Sequence, residues 1–300
     1  MRFSKPPTTV EEQVQLLKRR GMQIPCNDQA TQSIKTIGYY RLSAYWHPYK
    51  RGGDFFHSGT TFADILDIYT LDAKLRLLLM EAIGRFEIHV RSSWTEHLVH
   101  RYGSHAHLDH RHFSSELRHH EQLLILTAAV DKSNEVFVQH YKKTYDAPDS
   151  PPLWASVELM TMGQVSRWIS ATKYPDLRAA IAQDVGLPSK RVLRGVLQSL
   201  SYLRNLCAHH ARVWNRRLVK RLPLIKRLRQ EMVIEMRGSQ NQTSNLIYNS
   251  LVVLRHLLDH QDPECTFRVE IRDLVSQLSS AQQKSMGFPS DWLSRATWRD

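Results

Sequence analysis

From Phe62 to about Arg101, apolar residues return every three or four positions: Ile65, Ile68, Tyr69, Leu75, Leu78, Leu79, Ala82, Ile83 and Phe86. That interval is the period of one face of an α-helix. No proline interrupts it, so the pattern predicts one long helix. Near the start, Val10, Val14, Leu16 and Leu17 repeat the period. Thr8 or Thr9, with Glu11 or Glu12 three residues on, offers a capping box, and Gly21 a stop. The same reasoning predicts a helix ending near Gly38 and further helices over 116–142, 153–171, 189–213, 222–237 and 245–260. The stretch "RGGDFFHSGTTF" reads as a loop or hairpin, 102–115 as a histidine-rich loop, and "DAPDSPPL" and "RGSQNQTSN" as links. No internal repeat, heptad run or strand series is present. The fold class is all-α. Residues 1–60 read as a helical and aromatic extension packed on a helical core over 61–262, with 263–300 a tail to which no role is assigned.

Composition is that of an ordinary globular protein, with 42% hydrophobic and 23% charged residues. The formal net charge of +12, from 41 Lys and Arg against 29 Asp and Glu, points to a polyanionic partner. Its location says more. Val185–Gln230 contains no Asp or Glu and carries twelve basic residues, from Lys190 to Arg229. Those twelve equal the whole excess. The three cysteines, Cys26, Cys207 and Cys265, form no CxxC, which fits a reducing compartment rather than a disulfide framework. The N-terminus lacks the apolar core of a signal peptide, and no apolar run approaches the ~20 residues of a membrane span. A cytoplasmic protein with no membrane partner is expected.

The acid-free segment contains "LRNLCAHHARVWNR" at 203–216. Asn205 and His209, four apart, share a helical face, whereas Arg204 and His209, five apart, project about 140° from each other. This is not a nucleophile dyad within one helix. It suits a long arginine reaching toward a wedge that the histidine borders, or two copies meeting at a dimer axis. Histidine can move a proton near neutral pH, and arginine offers a planar fork to phosphate oxygens. Together they suit RNA cleavage through the 2′-hydroxyl, a route closed to DNA. Arg-x4-His spacing alone is common, and the same run equally suits a basic face that binds nucleic acid without catalysis.

The segment "RNLCAHHARVWNR" resembles the signature of the Abi-like abortive-infection family, the AbiD/AbiF group of the HEPN superfamily. "KPPTTVEEQVQLLKRRG", "IGYYRLSAYWHPY", "FADILDIYTLDAKLRLLLMEAIGRFEIHVRS" and "YGSHAHLD" resemble it in the same order, over roughly residues 5–260. The resemblance implies a HEPN-like helical core and metal-independent RNA cleavage by an Arg-x4–6-His motif. It also implies a homodimer, a phage-defence or toxin–antitoxin-like role, and an RNA partner that includes a small structured non-coding RNA. Carried over, Arg204 and His209 are the catalytic pair and Asn205 the polar residue beside them. His210 also satisfies the spacing. No cofactor and no metal are implied. Arg212, Arg216, Arg217, Lys220 and Arg221 are the candidate RNA-binding residues. The alternatives are a non-catalytic protein bound to a small structured RNA, or an all-α DNA-binding regulator.

Further residues carry weaker signals. Glu87 and Arg91 make an acid-first i,i+4 pair, either a surface ion pair or a support that orients a site histidine. His100, His105, His107, His110 and His112 crowd one loop beside Asp109 without an HExxH pattern, and His119–His120 reads as a solvated helix face. Tyr39, Tyr40, Tyr45 and Trp46 fit core or interface packing better than base stacking.

Overall fold

The computed structural model describes residue 2 and residues 6–299. Among them are thirteen α-helices and one two-stranded hairpin, the all-α architecture that the periodicity implies. The chain divides into two compact units, residues 1–76 and 77–300. The boundary falls inside a helix rather than near residue 60, because the first turns of that helix belong to the N-terminal unit.

In the first unit, α1 (Val10–Arg19) opens with a capping box between Thr9 and Glu12, and Gly21 turns the chain at φ 90°. α2 (Asn27–Ile37), α3 (Tyr39–Trp46) and the start of α4 (Phe62–Tyr102) follow. Ile65, Ile68, Leu75, Tyr45 and Trp46 are buried in its core. Position 72, where the apolar stripe of α4 calls for another hydrophobe, is a fully buried aspartate. Its carboxylate accepts from Tyr45 Oη at 2.6 Å and pairs with Arg76 one turn on. Burial without such partners is costly. Tyr40, in contrast, is exposed.

In the second unit the stripe of α4 continues through Leu79, Ile83, Phe86, Val90, Trp94 and Leu98, all buried. The segment expected as one helix over 116–142 is two, α5 (Glu116–Lys132) and α6 (Val136–Thr144), with Ser133 extended between them. The expected helix over 153–171 is also interrupted. A short α7 (Leu153–Ser156) precedes α8 (Met162–Ala171), which starts afresh on a capping box between Thr161 and Gln164. An unforeseen α9 (Pro175–Asp184) has proline in its first turn, where the missing N–H costs nothing. α10 spans Lys190–Ala208, shorter than the expected 189–213.

No α-helix forms over 222–237. Pro223 is followed by a single 3-10 turn, Lys226–Leu228. The strands β1 (Ile234–Arg237) and β2 (Gln240–Thr243) then pair antiparallel around Gly238 at φ 58°. α11 (Tyr248–Gln261) buries every residue from Tyr248 to Leu254, as a helix enclosed by its neighbours must. Its Asn249 secures the hairpin, accepting from Val233 N and donating to Val233 O, both at 2.8 Å. The tail forms α12 (Phe267–Ser276) and α13 (Ser280–Ser285) and buries Trp292 and Trp298. Its ordered role is structural: Arg295 Nη1 and Thr297 N bind Glu231, the first through its backbone carbonyl.

Candidate functional site

The site residues are set by α10 and the segment that follows it. Ser189 caps the helix. Leu193, Val196, Leu197, Leu200, Leu203 and Cys207 bury one face. That stripe is buried in the unit's own core, so it offers no free face for packing against a second copy. The opposite face is polar: Arg194, Gln198, Tyr202 and Asn205 follow at helical spacing, and Arg194, Gln198 and Asn205 are exposed.

The helix ends in a Schellman turn. Ala211 N donates to Leu206 O at 2.9 Å and His210 N to Cys207 O at 3.0 Å. His209 is the capping residue, and His210 takes the left-handed conformation, φ 53°, that glycine usually supplies. The turn leaves both histidine side chains exposed at the tip of the helix, beside exposed Asn205 and half-buried Arg204. Asn205 and His209 lie on one side of the helix axis, about 40° apart, and Arg204 about 140° from His209.

Beyond the turn, Val213 and Trp214 plunge into the core, and the chain runs back along α10 as a strap. Ser199 Oγ donates to Arg221 O at 2.9 Å. Pro223 packs so near Gly195 that a Cβ there would stand 3.0 Å from its ring. Leu218 N donates to Asn245 O at 2.7 Å, and Asn245 Nδ2 donates to Leu218 O at 2.9 Å.

This strap sorts the basic residues. Arg217 and Lys220 are exposed, although Arg217 donates to Asn245 Oδ1 at 3.2 Å. Arg216 and Arg221 are half-buried and directed at backbone carbonyls, of Arg212 at 3.4 Å and of Thr243. Arg212 is half-buried as well. Only part of the charge run faces solvent.

A cleft of about 730 Å³ lies between α5, α8 and α10. Arg118, Arg167, Arg194 and Lys220 line it, as does Asn205, with Trp168 among the buried residues of its wall. α8 and α10 approach closely there: a Cβ on Gly163 would touch Ser201 Oγ at 3.4 Å. The cleft was not legible beforehand, because its cations come from four separate elements.

Glu87 and Arg91 are not a surface pair. Their side chains are 10% and 14% exposed and meet at 2.5 Å. Arg91 also donates to Met160 O at 2.6 Å and reaches Glu158 at 3.3 Å. The pair fastens α4 to the segment that starts α8, the helix packed on α10. The partners given by the structure include no histidine.

The histidine loop is packed rather than loose. His107 is fully buried, and neither ring nitrogen has a hydrogen-bond partner. Burial, aided by nearby His105 and His119, pushes its pKa down to about 3. His119, expected in solvent, is buried. It lies stacked on Phe113 with ring centres 4.8 Å apart, and Nε2 is 2.8 Å from His107 O. Among the described residues, no three His, Cys, Asp or Glu side chains are grouped to hold a metal ion. No helix among them is long and apolar enough to cross a membrane.

No curated protein and no solved structure matches the chain. The family model described as "Abi-like protein" matches residues 32–215, more than half of the sequence, ending where the strap begins. The chain therefore belongs to the Abi-like proteins, a family whose role is defence against phage.

Proposed function

We propose that this Abi-like protein is a metal-independent HEPN endoribonuclease of the AbiD/AbiF kind, acting in abortive infection or a toxin–antitoxin-like system. The observation that carries the reading is the end of α10. Exposed Asn205, His209 and His210 stand at a helix tip beside half-buried Arg204, inside a segment with no carboxylate. In the reaction, His209 takes the proton of a 2′-hydroxyl. The freed oxygen attacks the adjacent phosphorus, and the P–O5′ bond breaks. The products are a 2′,3′-cyclic phosphate and a 5′-hydroxyl that picks up a proton. Arg204 stabilises the charge on the crowded phosphorane, Asn205 orients the phosphate, and His210 stands beside the leaving oxygen. Arg217 and Lys220 hold the backbone, with Arg212, Arg216 and Arg221 shaping the strap. Glu87 and Arg91 support the helix against which α10 is set.

Arg204→Ala and His209→Ala should each abolish cleavage of RNA while keeping wild-type helicity by circular dichroism. Cleavage should persist in EDTA and stop when the nucleotide 5′ of the cut is 2′-deoxy. A folded His209→Ala protein that cuts RNA normally would overturn the assignment, unless His210→Ala were inactive.

A second reading draws on Arg217 and Lys220 facing solvent and on the divergence of Arg204 from His209. In it the protein binds a small structured RNA without cutting it. Affinity would then fall with the basic residues, and no product would form.

A further inference from the structure

We infer that the cleft between α5, α8 and α10 is a subsite for a single nucleoside phosphate, a nucleotide of the RNA strand that the proposed nuclease holds. This deepens the ribonuclease reading and rests on it. At about 730 Å³ the cleft has the volume of small-ligand sites, roughly 300–1,000 Å³.

Its charge is unusual in origin. Arg118 comes from α5, Arg167 from α8, Arg194 from α10 and Lys220 from the strap, and all four are exposed. A solvated helix face would draw its cations from one element. Here four converge on one concavity, with Glu121 the one acidic residue lining it. Among the described residues no carboxylate pairs with Arg118, Arg194 or Lys220. Arg167 uses Nε on Gln122 at 2.9 Å and keeps its terminal nitrogens for a ligand. Such a cluster repels itself until an anion enters.

One wall is rigid: Trp168 is 1% exposed and packs edge-on to Phe113 and His119, with ring centres 5.0 and 5.4 Å away. Asn205 lines the same cleft one helical turn before His209. A strand whose nucleotide sits against Arg194 and Arg167 thus leads along the polar face of α10 to the histidine turn.

The probe is a fluorescein-labelled eight-nucleotide 2′-fluoro RNA, which lacks the attacking hydroxyl, alongside the four free ribonucleoside 5′-monophosphates. Arg194→Ala and Arg167→Ala should each weaken the octanucleotide about fivefold or more. Arg118→Ala should weaken binding in the same way without lowering the melting temperature, because its side chain is exposed and lines the cleft. Lys284→Ala, an exposed change on α13, serves as the control. Weakening confined to the octanucleotide assigns the cleft to an RNA strand. Equal weakening of a monophosphate assigns it to a free nucleotide. Wild-type affinity of all three cleft variants for both probes overturns the proposal. Because binding is read without cleavage, a protein that binds here and never cuts removes the nuclease reading and leaves the subsite. One that cuts while its cleft variants bind normally does the reverse.

Discussion

Ala211 donates its backbone N–H to the carbonyl of Leu206 at 2.9 Å, and the turn it closes holds His210 at φ 53°. Left-handed backbone costs a non-glycine residue roughly 1–2 kcal/mol. Comparing His210→Gly with His210→Val isolates that cost, since both variants lose the same imidazole. The glycine variant should be more stable than the valine variant by at least about 1 kcal/mol in urea denaturation. It should also keep RNA cleavage if His209 is the base. Equal stability of the two would show that the turn does not constrain this residue in solution.

Salt tests the strap. On single-stranded RNA each phosphate contact contributes a log–log slope of about −0.7. Arg217→Ala with Lys220→Ala should therefore flatten the salt dependence of RNA affinity by about 1.4. Arg221→Ala should instead act on stability, because its guanidinium is bound to the carbonyl of Thr243. A slope unmoved by the double variant would place the phosphate contacts elsewhere.

Acid should unfold the protein through His107. The folded residue stays neutral down to about pH 3, whereas its ordinary value is 6.5. Below 6.5 the unfolded chain binds a proton that the folded one refuses, so stability is full above that pH and falls on acidification. The loss is about 1.4 kcal/mol per pH unit until about pH 3. His119, His105, His112 and His256, all lowered first by burial, act in the same direction. His107→Leu should make the urea midpoint less dependent on pH between 7 and 5. A variant with the wild-type pH dependence would remove His107 as a cause.

The divergence of Arg204 from His209 bears on assembly. If the arginine of one copy serves the histidine of another, mixing inactive Arg204→Ala and His209→Ala proteins should restore cleavage, since one of the two sites of a mixed dimer is then whole. Sedimentation should show a dimer that RNA tightens. No recovery on mixing, with a monomer cutting at a rate per chain independent of concentration, would confine each site to one chain.

Local signals carried most of the helices. Successive residues of the α4 stripe lie within a few positions of one another, as do Thr9 and Glu12, so the sequence displays both features. The hairpin replaces the expected helix, although a Gly238–Ser239 pair between two short segments is a turn signature. The helical period of the neighbouring residues masked it. Asp72 was hidden differently: its partner Arg76 is one turn away, but Tyr45 is reached only through tertiary packing. The same holds for the site. The Arg204–His209 motif is contiguous and could be read, whereas the cleft draws on Arg118, Arg167, Arg194 and Lys220, which only folding brings together. Neither does sequence separate Arg217, which faces water, from Arg221, which is bound to a carbonyl.

Because Arg194 and the histidine turn share one helix, α10 works as a ruler whose graduations are turns. Inserting one residue between Gln198 and Ser201 would rotate Asn205 and His209 by about 100° relative to Arg194. It would also carry Leu203 and Cys207 out of the core and pull Ser199 out of step with Arg221. A seven-residue insertion, close to two full turns, would restore the facing but lengthen the path by about 10 Å. In the proposed nuclease, the distance between where a strand is gripped and where it is cut is thus written in the residue count of a single helix.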